Sequence, residues 1–255
     1  MIEVLGLSKR YPGGAAVDDV SFVVPAGEML ALVGRSGSGK TTTLKMINRL
    51  VEPSAGRVRV DGEDVTRLEP HVLRRRIGYV FQGVGLFPHL TVGENVAVPL
   101  RLAHWEAGRI AARVAELLEL VELDPALGSR RTSELSGGQL QRVGVARALA
   151  ASPKVMLLDE PFGALDPITR DHVQRSFMAL RLRVRPTAVF VTHDMAEALM
   201  LADRVGVMHA GRLLQVGTPS ELSRAPADER VAQLLETPRR QARAIDALLQ
   251  GPANG

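Results

Sequence analysis

The stretch Gly34-Arg35-Ser36-Gly37-Ser38-Gly39-Lys40-Thr41 limits what this chain can fold into more than any other. It fits the pattern G-x-x-x-x-G-K-[ST]. The apolar run before it, Met29–Val33, reads as a buried strand, and a helix-like segment over residues 42–50 comes next. Strand, glycine-rich turn, helix is the context that gives the pattern physical meaning. In that context the glycines let backbone N–H groups close around phosphate oxygens. Lys40 reaches the outer phosphates, and Thr41 offers a hydroxyl to Mg²⁺. A helix starting near Gly39 points its positive dipole end at the anion. The bland alternative is a flexible glycine loop.

The rest of the chain supplies a sheet for that turn. Residues 2–7 and 17–24 alternate or run apolar around the turn Pro12-Gly13-Gly14. Residues 56–60 end at Asp61-Gly62, a hairpin signal, so the front end reads as a partly antiparallel sheet. Residues 77–81 form another apolar strand, ending at Gln82. From Gly83 to about Ser152 the character changes. Residues 106–123 are amphipathic at helical spacing, and Ser136 can cap a second helix to about Ala151, which reads as a helical insertion. Strand–helix alternation then resumes: a strand at 155–158, a helix opened by Asp166-Pro167 and running to about Val184, a strand at 188–192 and a helix at 195–201. Residues 205–208 and 213–216 predict a hairpin, and Thr218-Pro219-Ser220-Glu221 is a capping box with proline at the first helical position. Such alternation argues for a mostly parallel sheet flanked by helices. From Ser223 onward short helices are predicted, then a frayed end at Pro252-Ala253-Asn254-Gly255.

Composition narrows the class. A chain of 255 residues that is 45% hydrophobic can bury a sizeable core. No apolar run approaches the ~20 residues that span a bilayer. The N-terminus has no basic region followed by an apolar stretch, so no signal peptide is expected. Without cysteine there are no disulfides, thiolate metal sites or thiol nucleophiles, which fits a reducing compartment. The net charge of +4 is a modest, arginine-led surplus, and only 4% of residues are aromatic, so no nucleic-acid partner is expected.

Two further constellations carry chemistry. Val155-Met156-Leu157-Leu158-Asp159-Glu160 is a buried-strand pattern that delivers paired carboxylates to its carboxyl end, where ligands of parallel sheets sit. Asp159 can bind Mg²⁺, usually through water, and Glu160 can polarise a water for in-line attack on a γ-phosphate. A surface Asp-Glu turn after a core strand is the plain alternative. Leu135-Ser136-Gly137-Gly138-Gln139 puts two glycines and a hydroxyl at a helix start, a second anion-binding arrangement in one chain.

With those motifs assembled, the chain resembles the ATPase subunits of ATP-binding-cassette transporters over residues 2 to about 222. Leu135–Gln139 match the family's signature motif; 34–41 look like its Walker A motif and 155–160 its Walker B motif with the catalytic glutamate. Gln82 stands where the Q-loop glutamine meets Mg²⁺ and the membrane subunit. Ala164-Leu165-Asp166 resembles the D-loop, His193 the switch histidine that senses the γ-phosphate, and Tyr11 the aromatic that stacks on adenine. Arg35 is a minor departure, since proline is common there.

The resemblance implies an α/β fold: a P-loop NTPase (RecA-like) core with an antiparallel β subdomain and an inserted helical subdomain. It divides residues 1–222 into a nucleotide-binding core with its β subdomain (1–82 and 153–222) and a helical subdomain with the signature motif (83–152), leaving 223–255 as a short helical tail. It implies ATP and Mg²⁺ as cofactors. Glu160, His193, Lys40 and Gln82 would be catalytic. Tyr11, Gly34, Ser36, Gly37, Ser38, Gly39, Lys40, Thr41, Thr42, Ser136, Gly137, Gly138, Gln139 and Asp166 would bind nucleotide, and Thr41, Gln82 and Asp159 the metal.

A head-to-tail homodimer, or a dimer with a similar subunit, is also implied, with ATP between the phosphate loop of one copy and Ser136-Gly137-Gly138 of the other. Separate permease subunits, indirectly a solute-binding protein, and a peripheral place on the cytoplasmic face of the membrane complete the expectation. The kinked apolar segment Gly85-Leu86-Phe87-Pro88-His89-Leu90-Thr91-Val92 resembles the importer region that receives the permease's coupling helix. Gly85–His89 combined with Leu165-Asp166-Pro167-Ile168-Thr169-Arg170 looks most like ATPases for osmoprotectants and other quaternary amines such as glycine betaine, carnitine and choline. The tail carries neither the extra domain usual in sugar, polyamine and sulfate importers nor the paired regulatory domains of some quaternary-amine ATPases, so regulation by that route is not expected. The alternatives are an importer ATPase for another solute, a soluble cassette ATPase for DNA repair or translation, and a non-hydrolytic nucleotide-binding module; intact Glu160 and His193 argue against the last.

Overall fold

The computed structural model describes residues 1–83 and 85–250, so the end expected to fray at 252–255 lies outside the described residues. Strands β1 (Ile2–Tyr11) and β2 (Gly14–Val24) form a long antiparallel ribbon, extending the expected segments to the turn between them. After β3 (Met29–Val33) comes the glycine loop, then α1 (Lys40–Ile47). The helix starts two residues before the expected 42–50, because Gly39 at φ 97° is its N-cap, and it stops where Arg49 turns left-handed at φ 55°. Strands β4 (Ala55–Val60) and β5 (Glu63–Asp64) meet across Asp61-Gly62, where both residues take the positive φ that a tight hairpin requires. These strands complete a four-stranded sheet in the order β2-β1-β4-β5.

Helix α2 (Pro70–Arg76) precedes β6 (Ile77–Val80). Between β6 and the next strand of the sheet the chain forms α3 (Val92–Leu102), α4 (Ala107–Leu120) and α5 (Gly137–Leu149). Then come β7 (Val155–Asp159), α6 (Pro167–Val184), β8 (Thr187–Thr192), α7 (Met195–Leu201), and the hairpin of β9 (Arg204–His209) and β10 (Arg212–Gly217). The second sheet has six strands in the order β10-β9-β3-β8-β7-β6, all pairs parallel except β10 with β9.

The parallel strands read as unbroken apolar runs because both faces are covered. Along β3, Leu30 and Leu32 enter one apolar layer with Leu44 and Ile47 of α1, Leu157, and Ile2 and Val4 of the antiparallel sheet. Met29, Ala31 and Val33 enter the other, with Val143 of α5, Phe177 of α6 and Ala198 of α7.

The tail departs from expectation. Thr218 and Glu221 form the predicted capping box of α8 (Pro219–Arg224), but beyond it the chain makes one helix, α9 (Glu229–Gln250), and not several short ones. Val231 and Leu235 are buried and fix its first turns, so the helix is already nucleated and anchored when it reaches Pro238.

Candidate functional site

Four neighbouring parallel strands, β3, β8, β7 and β6, end on the same side of the sheet. Residues far apart in sequence therefore converge: the loop 34–39 after β3, His193 after β8, Glu160 after β7 and Gln82 just beyond β6. The carboxyl edge of a parallel sheet is where such folds hold ligands.

Within the loop, glycine is required for two reasons. Gly34 at φ 151° approaches the carbonyl of Met208, 2.2 Å from where a Cβ would stand; at Gly39 the carbonyl of Ala16 would be 2.5 Å away. At Gly37, φ 78°, the space is open and only the backbone conformation matters. Ser38 is buried and its Oγ is enclosed without a partner, 2.8 Å from where a Gly34 Cβ would stand; it is an orphan donor within the loop of the kind a phosphate oxygen satisfies. Lys40 is buried too; its Nζ donates to the carbonyls of Gly34 at 2.8 Å and Arg35 at 3.1 Å. Burial lowers the Lys40 pKa, opposed by the charges of Glu160 and Asp159. Ser36 is exposed at the loop's outer rim, and Thr42 is half-buried one residue after Thr41.

Thr41 Oγ1 donates to Asp159 Oδ1 at 2.9 Å. Asp159 is 3% exposed, and burial raises its pKa against the pull of that hydrogen bond. One hydroxyl and one carboxylate are hard oxygen donors of the kind Mg²⁺ takes. Among the described residues no group of three His, Cys, Asp or Glu side chains could hold a metal, so the donor set fits an ion that takes its remaining ligands from phosphate and water.

Glu160 breaks the strand with a left-handed backbone at φ 46°, a conformation that costs an L-residue about 1–2 kcal/mol. The turn is held by its N–H donating to the Val191 carbonyl at 3.0 Å. Its side chain lies between two others: Gln82 Nε2 donates to Oε2 at 3.2 Å, and His193 Nδ1 stands 3.4 Å from Oε1. The structure thus brings Lys40, Thr41, Gln82, Asp159, Glu160 and His193 into one constellation.

Tyr11 and residues 136–139 make no hydrogen bond to that constellation among the described residues. Tyr11 is 48% exposed, with the Lys9 ammonium 5.2 Å from its ring centroid. Ser136 caps α5 by accepting from the Gln139 N–H, while Gln139 Oε1 accepts from the Ser136 N–H. Ser136 and Gly137 are exposed, whereas Gly138 is buried against α6: a Cβ there would stand 2.4 Å from Thr169 Cγ2. Asp166 caps α6 through the Thr169 N–H.

Beside the constellation a groove of about 790 Å³ opens between β6, α2 and α3, lined among others by Phe81, Gln82, Phe87, Pro99, Leu102 and Arg147. Phe81, Phe87 and Leu102 are large apolar side chains left 42–50% exposed. Two buried residues that the sequence alone does not single out fix this loop from behind. Asn95, fully buried, accepts from the Phe87 N–H at 2.8 Å and donates to the carbonyls of Phe87, Leu90 and Thr91. Arg147 donates to the Gly85 carbonyl at 2.8 Å and lies 5.9 Å from the Phe87 ring centroid. An asparagine on the apolar stripe Val92, Val96, Leu100 is the signal that could have found the first.

A parallel sheet with a phosphate loop on one strand and an Asp-Glu pair on another defines a P-loop nucleotide-binding protein. The sequence profile described as "ABC transporter" matches residues 17–163, and the chain belongs to that family. It is 50% identical over 236 residues to the choline transport ATP-binding protein OpuBA of Bacillus subtilis, covering 92% of this chain and 62% of that protein. It is 47% identical to the glycine betaine uptake system ATP-binding protein YehX of Escherichia coli, over 91% of this chain and 76% of that protein. The chain thus spans about three fifths of the length of several curated relatives it matches. Among solved structures, the dimeric post-hydrolysis state of the ATP-binding cassette MJ0796 bound to ADP and Pi superposes with a TM-score of 0.77. The two are 32% identical, over 86% of this chain and 99% of that one.

Proposed function

We propose that this chain is the ATP-hydrolysing subunit of an importer for an osmoprotectant or quaternary amine, acting as a head-to-tail dimer beneath a membrane permease. The observation that carries the reading is the convergence of Lys40, Thr41, Asp159, Gln82, Glu160 and His193 at the ends of four parallel strands. Lys40 and the loop N–H groups would hold the β- and γ-phosphates, with Ser38 Oγ gaining the partner it lacks. Thr41 and Asp159 would hold Mg²⁺, which neutralises charge on the phosphates and orients them. Glu160, held between Gln82 and His193, would take the proton from the attacking water. Tyr11 would stack on adenine. Exposed Ser136 and Gly137 would close over the ATP of the second copy, a reading supported by the dimeric form of the MJ0796 cassette.

The exposed aromatic groove would receive a short cytoplasmic segment of the permease. Among the described residues no helix is long and apolar enough to cross a membrane, so attachment would be peripheral, on the cytoplasmic face, with a solute-binding protein acting through the permease. The solutes that OpuBA and YehX are named for, choline and glycine betaine, support the solute class.

Phosphate release from Mg²⁺–ATP tests the reading. Wild type is expected to turn over, and Glu160→Gln to lose about 10²–10⁴-fold in rate while still binding ATP and eluting as an ATP-dependent dimer on gel filtration. Wild-type turnover in that variant refutes the role of Glu160.

A further inference from the structure

The turn that follows Glu160 folds back over it. The Gly163 N–H donates to the Glu160 carbonyl at 3.2 Å, and the Leu165 N–H to the Phe162 carbonyl at 3.3 Å. A Cβ on Gly163 would stand 3.5 Å from Glu160 Oε2, so the turn is one wall of the place that carboxylate occupies. Those bonds are local to the turn. Arg170, in the first turn of α6, adds one from outside: its Nη2 donates to the Leu165 carbonyl at 2.9 Å.

The same arginine also reaches the segment that carries His193. A cavity of about 10 Å³ is lined by Arg170 together with Glu160, Gly163, His193 and Glu197, among others. Glu197 stands in the first turn of α7, just after His193 and the Asp194 cap. Gln174, one turn after Arg170 on α6, donates to Glu197 Oε1 at 2.8 Å. Burial raises the Glu197 pKa, and the Arg170 charge acts against it. Helix α6 thus offers two side chains, at i and i+4, to one buried carboxylate. Arg170 Nε is enclosed and makes no hydrogen bond among the described residues. An orphan donor on a partly desolvated cation is a poor device for stability, and its retention beside the site calls for another role. We propose that Arg170 is a positioning residue for hydrolysis: its guanidinium ties the turn over Glu160 to the start of α7, and so sets the Glu160 carboxylate against His193, 3.4 Å away. Arg170 acts through those two side chains, so the proposal rests on the reading of Glu160 as the base.

Arg170→Met keeps an unbranched apolar stem and removes the guanidinium. Phosphate release from Mg²⁺–ATP, binding of a fluorescent ATP analogue, thermal melting and the ring-proton NMR signals of the histidines are compared with wild type; the His193 signals are those lost in His193→Gln. The kcat is expected to fall about tenfold, the worth of one hydrogen bond from a charged group. KM and analogue affinity should stay near wild type, because the phosphate loop is not part of the tie. The His193 signals should move, while those of His71 and His104, which lie outside the cavity, stay in place. Melting should fall little, because an orphan donor leaves with the hydrogen bond. An unchanged kcat or unmoved His193 signals overturns the proposal. So does a large drop in melting with kcat, affinity and all histidine signals altered together, which would make Arg170 an ordinary fold contact. Wild-type turnover in Glu160→Gln overturns the reading of the base itself, which separates the two failures.

Discussion

Gly138 shows how packing alone can fix a motif residue. The residue is buried, and its missing Cβ is where Thr169 Cγ2 comes close. Gly138→Ala is therefore expected to cost about 1–3 kcal/mol of stability through overpacking. Thr169→Ser deletes the opposing methyl, and in the double variant alanine's better helix propensity should bring melting back to the wild-type value or above it. A single variant that melts no lower than wild type would disprove the close approach. Glu197 gives a pH test. It is buried, and Gln174 Nε2 donates to it at 2.8 Å; burial, the largest influence, raises its pKa. A carboxyl whose folded pKa lies above its unfolded one binds protons more tightly in the folded state. Its ionisation therefore destabilises the fold in full above the folded pKa, and not at all below the unfolded one. Glu197→Gln should raise the melting temperature at neutral pH, and the difference should vanish as pH falls below the ordinary glutamate range. An equal effect at both pH values would mean that packing, and not charge, is responsible.

At the scale of elements, the sequence is legible where its signal is local. Residues 29–33 and 195–201 are strand and helix as read, because an unbroken apolar run and a run of good helix formers carry their own signal. Helix α3 is hidden in the sequence, although Thr91 and Glu94 form a full capping box at its start; the preceding Pro88 and the internal Pro99 obscure the period. The same division holds for the site. Walker-type and signature residues sit in contiguous motifs, whereas Asn95 and Arg147 matter through backbone partners that only the folded chain brings to them, 62 residues away for Arg147 and Gly85. Length in α9 is likewise invisible, since it depends on Val231 and Leu235 finding the core. Leu235→Ala should cost about 2–5 kcal/mol. A chain ended after Glu236 should melt close to wild type, because residues 239–246 are all exposed. Comparable destabilisation by the two changes, seen in thermal melting, would contradict that division of labour.

For the whole molecule, the groove and the constellation share β6 and Gln82 but use different side chains. Phe87 is 42% exposed and its ring is not part of the site chemistry. Phe87→Ala is expected to leave melting and basal phosphate release of the isolated subunit near wild type, and to lower solute-stimulated hydrolysis and uptake in the reconstituted transporter, since an exposed aromatic can anchor an interface. Full uptake in that variant would exclude an anchoring role.

Helix α5 joins these two regions. At one end Ser136 and Gly137 are exposed; near the other, Arg147 holds the Gly85 carbonyl and lies against Phe87. Its 13 residues make a stiff arm about 20 Å long. Gly138, seated against Thr169, gives that arm a bearing close to its outer tip. Leverage on such an arm is unequal: a broad swing at the loop end becomes a short, forceful stroke at the serine end. A shallow push on the groove side would thus arrive as a fine adjustment of where Ser136 points, with no chain of side-chain rearrangements in between.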